Sequence, residues 1–110
     1  MPGSPLDTRD ADLRRWQAEF GDATPIAELR PRHRGTCVGV VQKIRLVPGR
    51  SIDVTVHDGS GRLTATWTGR TTLPGVELGG GLRMQGTVAE EGGRRRMRNP
   101  DWSLVAEPYS

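Results

Sequence analysis

Residues 51–68 read SIDVTVHDGSGRLTATWT, and this stretch decides the fold. Ile52, Val54 and Val56 alternate with Asp53, Thr55 and His57, and then Leu63, Ala65 and Trp67 alternate with Arg62, Thr64, Thr66 and Thr68. A period of two marks a strand with one buried and one wet face. Between the runs, Asp58-Gly59-Ser60-Gly61 supplies residues that tolerate positive φ or bond their own backbone, so the two strands fold back as a hairpin. By parity the aliphatic side chains and Trp67 go to a core, while Thr55, His57, Arg62, Thr64 and Thr66 stay outside.

On the N-terminal side, Pro48-Gly49 forms a turn after a long first strand running from about Arg34 to Val47. Cys37, Gly39 and Val41 share one face, and the phase then shifts to Ile44 and Leu46, which predicts a bulge near Gln42-Lys43. Gly39 stands where a side chain would obstruct a sharply curved sheet. On the C-terminal side, Leu82, Met84, Gly86 and Val88 mark a fourth strand. Glu90-Glu91-Gly92-Gly93 leads into a fifth strand that carries an arginine cluster. Asn99-Pro100 must interrupt or edge that last strand, because proline donates nothing to a ladder. Trp102, Leu104 and Val105 follow, Trp102 being either a core residue or an exposed platform. Residues 69–81 hold Pro74-Gly75 and a glycine triplet with few apolar positions, so strands three and four join through a loop or a single helical turn. The expected class is all-β, a five-stranded barrel with little or no helix between strands three and four.

Residues 1–22 form a helical prefix to a barrel domain at 23–110. The helical pattern runs from Asp7 to Phe20, with Asp7 or Thr8 as N-cap and Gly21 as the stop. Leu13, Trp16 and Phe20 fall on one face. A helix of barely three turns needs a partner, and this stripe either docks on the barrel or offers a surface to a second chain. Thr24-Pro25 starts a short helical turn with Pro25 in its first position and Pro31 as its end, placing Ile26 and Leu29 under the barrel.

A chain of 110 residues makes one ordinary domain, and 15 glycines suit short strands and tight turns. The formal net charge is +3, unevenly spread. Residues 1–22 set three arginines against five carboxylates, whereas the remainder holds thirteen basic and eight acidic residues. All the basic residues but Lys43 are arginine, a planar donor array that suits phosphate and base edges, although a GC-rich coding sequence gives the same bias. The lone Cys37 excludes an intrachain disulfide or a multi-cysteine zinc site and reads as a small core hydrophobe. His33 and His57 lack companion ligands, the glycine triplet at 79–81 lacks the following lysine of a phosphate loop, and Glu90-Glu91 carries no mark of an acid/base pair. No metal, cofactor or enzymatic activity is expected. No apolar run approaches membrane-spanning length and no secretory pattern opens the chain, so the expectation is a soluble cytoplasmic protein without membrane contact.

Taken in order, Val38-Gly39-Val40-Val41, Asp58-Gly59-Ser60-Gly61, Leu82-Arg83-Met84-Gln85-Gly86-Thr87-Val88 and Met97-Arg98-Asn99-Pro100-Asp101 resemble the OB-fold nucleic-acid-binding family over about residues 26–106. The likeness extends to the anticodon-binding domains of aminoacyl-tRNA synthetases and the wedge domain of branch-migration helicases. It is nearest to small stand-alone members from high-GC bacteria. The resemblance implies a Greek-key barrel that grips an oligonucleotide across strands two and three, with the loops joining strands one to two and four to five closing over it. By position that face is Thr55, His57, Arg62, Thr64 and Thr66, flanked by Lys43, Arg45 and Arg50 on one side and Arg94, Arg95, Arg96 and Arg98 on the other. The arginine run also reads as a solvated hairpin edge. No outward position on strands two or three is aromatic, so the expected binding of DNA or RNA is weak, salt-sensitive and sequence-tolerant. The alternative is a protein-interaction subunit or homodimer that docks through the barrel or through Leu13, Trp16 and Phe20.

Overall fold

A computed structural model of the chain describes residues 5–70 and 72–108, with residues 5–8 described by their backbone alone. Helix α1 spans Pro5–Ala18 and a single 3-10 turn spans Ile26–Glu28. Six strands follow: β1 Arg34–Val47, β2 Ser51–His57, β3 Arg62–Thr68, β4 Gly81–Glu91, β5 Arg94–Arg98 and β6 Asp101–Val105. The order β1-β2-β3-β5-β4 closes on itself through a β1–β4 pairing, which makes a five-stranded barrel. β3 and β5 run parallel and the other pairs are antiparallel. β5 and β6 are one barrel strand broken at Asn99-Pro100. β5 pairs with β4 at Val88–Glu91, and β6 continues along the same strand at Gly81–Gln85.

The alternation in residues 51–68 holds throughout. Ile52, Val54, Val56, Leu63, Ala65 and Trp67 are all buried in one core with Cys37, Val41, Leu82, Met84, Val88 and Met97. Ile26 and Leu29 join that core from the 3-10 turn. The β1–β2 register shifts between Val41 and Lys43, the bulge that lets one long strand pair with β4 through its first half and β2 through its second. Gly39 is required by crowding: a Cβ there would lie 2.8 Å from the Val56 Cβ and 3.1 Å from the His57 backbone nitrogen. Among the described residues, 69–80 form turns without a helix, and Leu73 fills the core from that segment.

Several boundaries differ from the sequence reading. α1 begins at Pro5, so Asp7 and Thr8 lie inside it rather than at its cap, and it ends at Ala18, three residues before Gly21. Residues 1–4 of the expected prefix lie outside the described residues. Pro25 is the residue before the 3-10 turn, with φ −53° and ψ 136°, not its first helical position. The turn also stops before Pro31, because Leu29 is already extended.

Candidate nucleic-acid interface

The outer face of β2 and β3 is built by cross-strand rows. Lys43 opposes Thr55, Thr55 opposes Thr64, and Thr64 opposes Arg96. One row along, Arg45, Asp53, Thr66 and Arg98 stand opposite one another in turn. His57 and Arg62 pair at the end near the β2–β3 turn.

The two rows differ electrically. Thr66 donates to Asp53 Oδ1 at 2.8 Å and accepts from Arg96 Nη1 at 3.1 Å. Glu91 takes Arg96 on one carboxylate oxygen at 3.5 Å and Arg98 on the other at 3.0 Å. Asp53, Thr66, Arg96, Arg98 and Glu91 therefore form a network across the two rows in which two carboxylates meet two guanidiniums, while Arg45 makes no ion pair among the described residues. In the neighbouring row the Thr55 and Thr64 hydroxyls bond each other at 2.9 Å. Lys43, Arg62 and Arg94 are exposed and make no ion pair among the described residues.

A groove follows this second row. Its first part, about 530 Å³, is lined by Arg9 and Leu13 of α1 together with Gln42, Lys43, Thr55, His57 and Arg62. Its second part, about 480 Å³, shares Lys43, Thr55 and Arg62 and continues to Thr64, Gly93, Arg94 and Arg95. No carboxylate lines either part among the described residues. The groove has cationic walls of mixed polar and apolar surface and runs from α1 to the β4–β5 hairpin.

The structure thus brings Lys43, Thr55, His57, Arg62, Thr64, Arg94 and Arg95 to one groove and leaves the other expected site residues outside it. Arg45 and Arg50 are exposed on the β1–β2 hairpin and do not line the groove, while Thr66, Arg96 and Arg98 are engaged in the network with Asp53 and Glu91. Arg95 shares the inward parity of Met97, and its Nη2 donates to the Ala27 carbonyl at 2.9 Å. His57 accepts a hydrogen bond at one nitrogen and lies near a carboxylate at the other. The Gly59 N–H donates to Nδ1 at 2.7 Å, so Nε2 carries the hydrogen and faces Asp10 Oδ1 at 3.5 Å. Arg9 was invisible to sequence reasoning, since nothing in an acidic prefix marks one arginine for a groove on the strands.

The stripe on α1 packs on its own chain. Leu13 and Trp16 are buried, and the Trp16 indole donates to the Ala106 carbonyl at 3.0 Å. Phe20, half-buried, meets the Trp16 ring edge-on at 5.3 Å. Of these three, only Phe20 retains surface for a second chain. Trp102 is partly buried against the core and lies outside the groove, so no Phe, Tyr or Trp lines the groove among the described residues. No helix is long and apolar enough to cross a membrane among the described residues, and no three His, Cys, Asp or Glu side chains gather there as a metal set.

No family model matches the sequence, and no curated protein matches it. Solved structures do match. A domain of replication protein A from Methanococcus maripaludis superposes with a TM-score of 0.64 at 18% identity, covering 78% of this chain and 98% of that one. A replication protein A heterotrimer bound to ssDNA gives 0.56 at 20% identity, over 67% of this chain and 58% of that chain. Asparaginyl-tRNA synthetase from Entamoeba histolytica gives 0.63 at 18% identity, over 77% of this chain and 24% of that chain. This chain spans little more than half of the ssDNA-bound relative and about a quarter of the synthetase. The likeness, together with the closed five-stranded ring, establishes an OB-fold.

Proposed function

We propose that this protein is a non-catalytic nucleic-acid-binding module that holds a DNA or RNA strand in the groove between α1 and the β4–β5 hairpin. The observation that carries the reading is that Lys43, Arg62 and Arg94, which make no ion pair among the described residues, surround a groove that no carboxylate lines among the described residues. Phosphodiester oxygens are the ligand groups that match such a surface, and Thr55 and Thr64 add hydroxyl donors and acceptors. An ssDNA-bound replication protein of the same fold supports the reading. With no Phe, Tyr or Trp lining the groove among the described residues, the stacking contribution of about 1–3 kcal/mol per base is missing. Binding rests on the backbone and is weak, salt-sensitive and tolerant of sequence.

The test is fluorescence anisotropy with labelled single-stranded DNA, single-stranded RNA and duplex DNA over a salt series, comparing the protein with its Lys43→Ala/Arg62→Ala/Arg94→Ala variant. Each phosphate contact on a single strand contributes about 0.7 to the slope of log K against log salt, so the triple variant should lose about 2 from it. A variant that keeps the affinity and slope of the parent overturns the site, and a parent that binds none of the three ligands at low salt overturns the function.

A further inference from the structure

Helix α1 is seated so as to present a cation to the groove. Two of its faces, each defined by residues four apart, do different jobs. On one, Asp10 and Arg14 grip the β2–β3 turn. Arg14 Nε donates to the Gly59 carbonyl at 3.1 Å, and Asp10 Oδ1 meets His57 Nε2. Gly59 is the seat itself: its φ is +88°, and a Cβ there would lie 2.2 Å from the Asp10 carbonyl oxygen, so only glycine admits the helix this close. On the adjacent face, Arg9 and Leu13 line the groove beside Lys43, Thr55 and Arg62. The C-terminal half of the helix is fixed separately by the Trp16 bond to Ala106.

Resting on the proposed function, we infer that α1 is a wall of the nucleic-acid groove and that Arg9, with Lys43 and Arg62, holds a backbone phosphate of the bound strand at that end. Among the described residues Arg9 makes no ion pair, whereas Arg15 on the same helix is paired with Asp12 at 2.5 Å and does not line the groove. Of the described acidic residues near Arg9, Asp12 is paired with Arg15, and Asp10 faces His57 and does not line the groove. The described lining of the groove end is therefore cationic although the prefix as a whole is acidic. Proximity of three cations to one another costs free energy in the unliganded protein, and a bound phosphate relieves it.

The experiment compares Arg9→Ala and Arg9→Glu with Arg15→Ala, which removes an equal charge from the same helix outside the groove. Binding of a labelled single-stranded oligonucleotide is measured over a salt series, with inorganic phosphate as competitor in a separate arm. Arg9→Ala is expected to weaken binding several-fold at low salt and lower the salt slope by about 0.7, Arg9→Glu to weaken it further, and Arg15→Ala to leave both within error. Inorganic phosphate at concentrations that leave ionic strength matched should compete poorly, because the phosphate is held as part of a chain. If Arg9→Ala and Arg15→Ala behave alike, the helix acts only through net charge and the inference fails, while the Lys43/Arg62/Arg94 result still judges the proposed function independently. If Arg9→Ala strengthens binding, α1 covers the groove instead of completing it, and the inference is likewise overturned.

Discussion

Removing the carboxylate of Asp58 should lower the stability of the fold by about 3 kcal/mol. Asp58 is buried in the β2–β3 turn, 1% exposed, and one carboxylate oxygen accepts from the Ser60 N–H at 2.9 Å, the Ser60 hydroxyl at 2.7 Å and the Gly61 N–H at 3.2 Å. The other oxygen accepts from the Ile26 N–H at 2.8 Å and so ties the 3-10 turn to the barrel. In Asp58→Ala the Ile26 N–H has no replacement partner, since Ile26 is fully buried, and an orphaned buried donor costs about 1–3 kcal/mol. The three donors of the turn are half-buried, so water replaces part of what they lose and they add about 1 kcal/mol. Asp58→Asn keeps one acceptor oxygen but sets its NH₂ against one of the N–H groups, for a loss of about 2 kcal/mol. Ser60→Ala loses one donor to Asp58 and the acceptor for the Ala27 N–H at 3.1 Å, about 1 kcal/mol. For a domain of this length each kcal/mol moves Tm by about 4 °C, so thermal unfolding should fall by about 12, 8 and 4 °C in that order. Urea titrations should show shifted midpoints at unchanged m-values. A fall below about 4 °C for Asp58→Ala, or Ser60→Ala proving the worst of the three, would refute the claim that this carboxylate organises the turn.

Two further perturbations follow from the core. Burial, with the negative charge of Asp58 as a second cause, pushes the Cys37 thiol up to about 12 from an ordinary value near 9. The unfolded chain therefore releases this proton while the native chain keeps it. Stability is fully present below pH 9 and falls by at most about 1.4 kcal/mol per pH unit between 9 and 12. Urea midpoints measured from pH 8 upward should show this slope, and Cys37→Ala should remove it; equal slopes in the two proteins would contradict the assignment. Gly39→Ala should cost about 2 kcal/mol, because the new Cβ meets the Val56 Cβ at 2.8 Å and the His57 backbone at 3.1 Å, neither of which swings away. Gly35→Ala should cost about half as much or less, since the Cβ there meets the mobile tip of Leu29 at 2.7 Å, and equal costs would show that backbone rigidity at β1 is not the cause.

The barrel was legible because its evidence is local. Parity in residues 51–68 sorts each side chain in or out without reference to any other strand, and the phase shift after Val41 marks the bulge just as the register shows it. The inward aim of Arg95 was legible too, two residues before the core Met97, although the arginine run drew the reading toward charge instead of phase. The cations that remain free were not legible, because cancellation joins residues far apart in the chain. Glu91 holds both Arg96 and Arg98 through a hairpin, but Arg96 reaches Thr66 and thence Asp53 only after β3 and β5 pair in parallel. The same holds for the acidic prefix, whose net charge suggests that it repels an anionic ligand. Asp10 faces His57, Asp12 faces Arg15 and Asp22 holds Arg83, which lowers the carboxyl of Asp22 mainly through their hydrogen bond. Among the described side chains of α1, the charged group that lines the groove is the guanidinium of Arg9. A charge count over residues 1–22 therefore has the wrong sign for the described part of the prefix that lines the groove. What an anion meets there is set by which charges the fold has already paired.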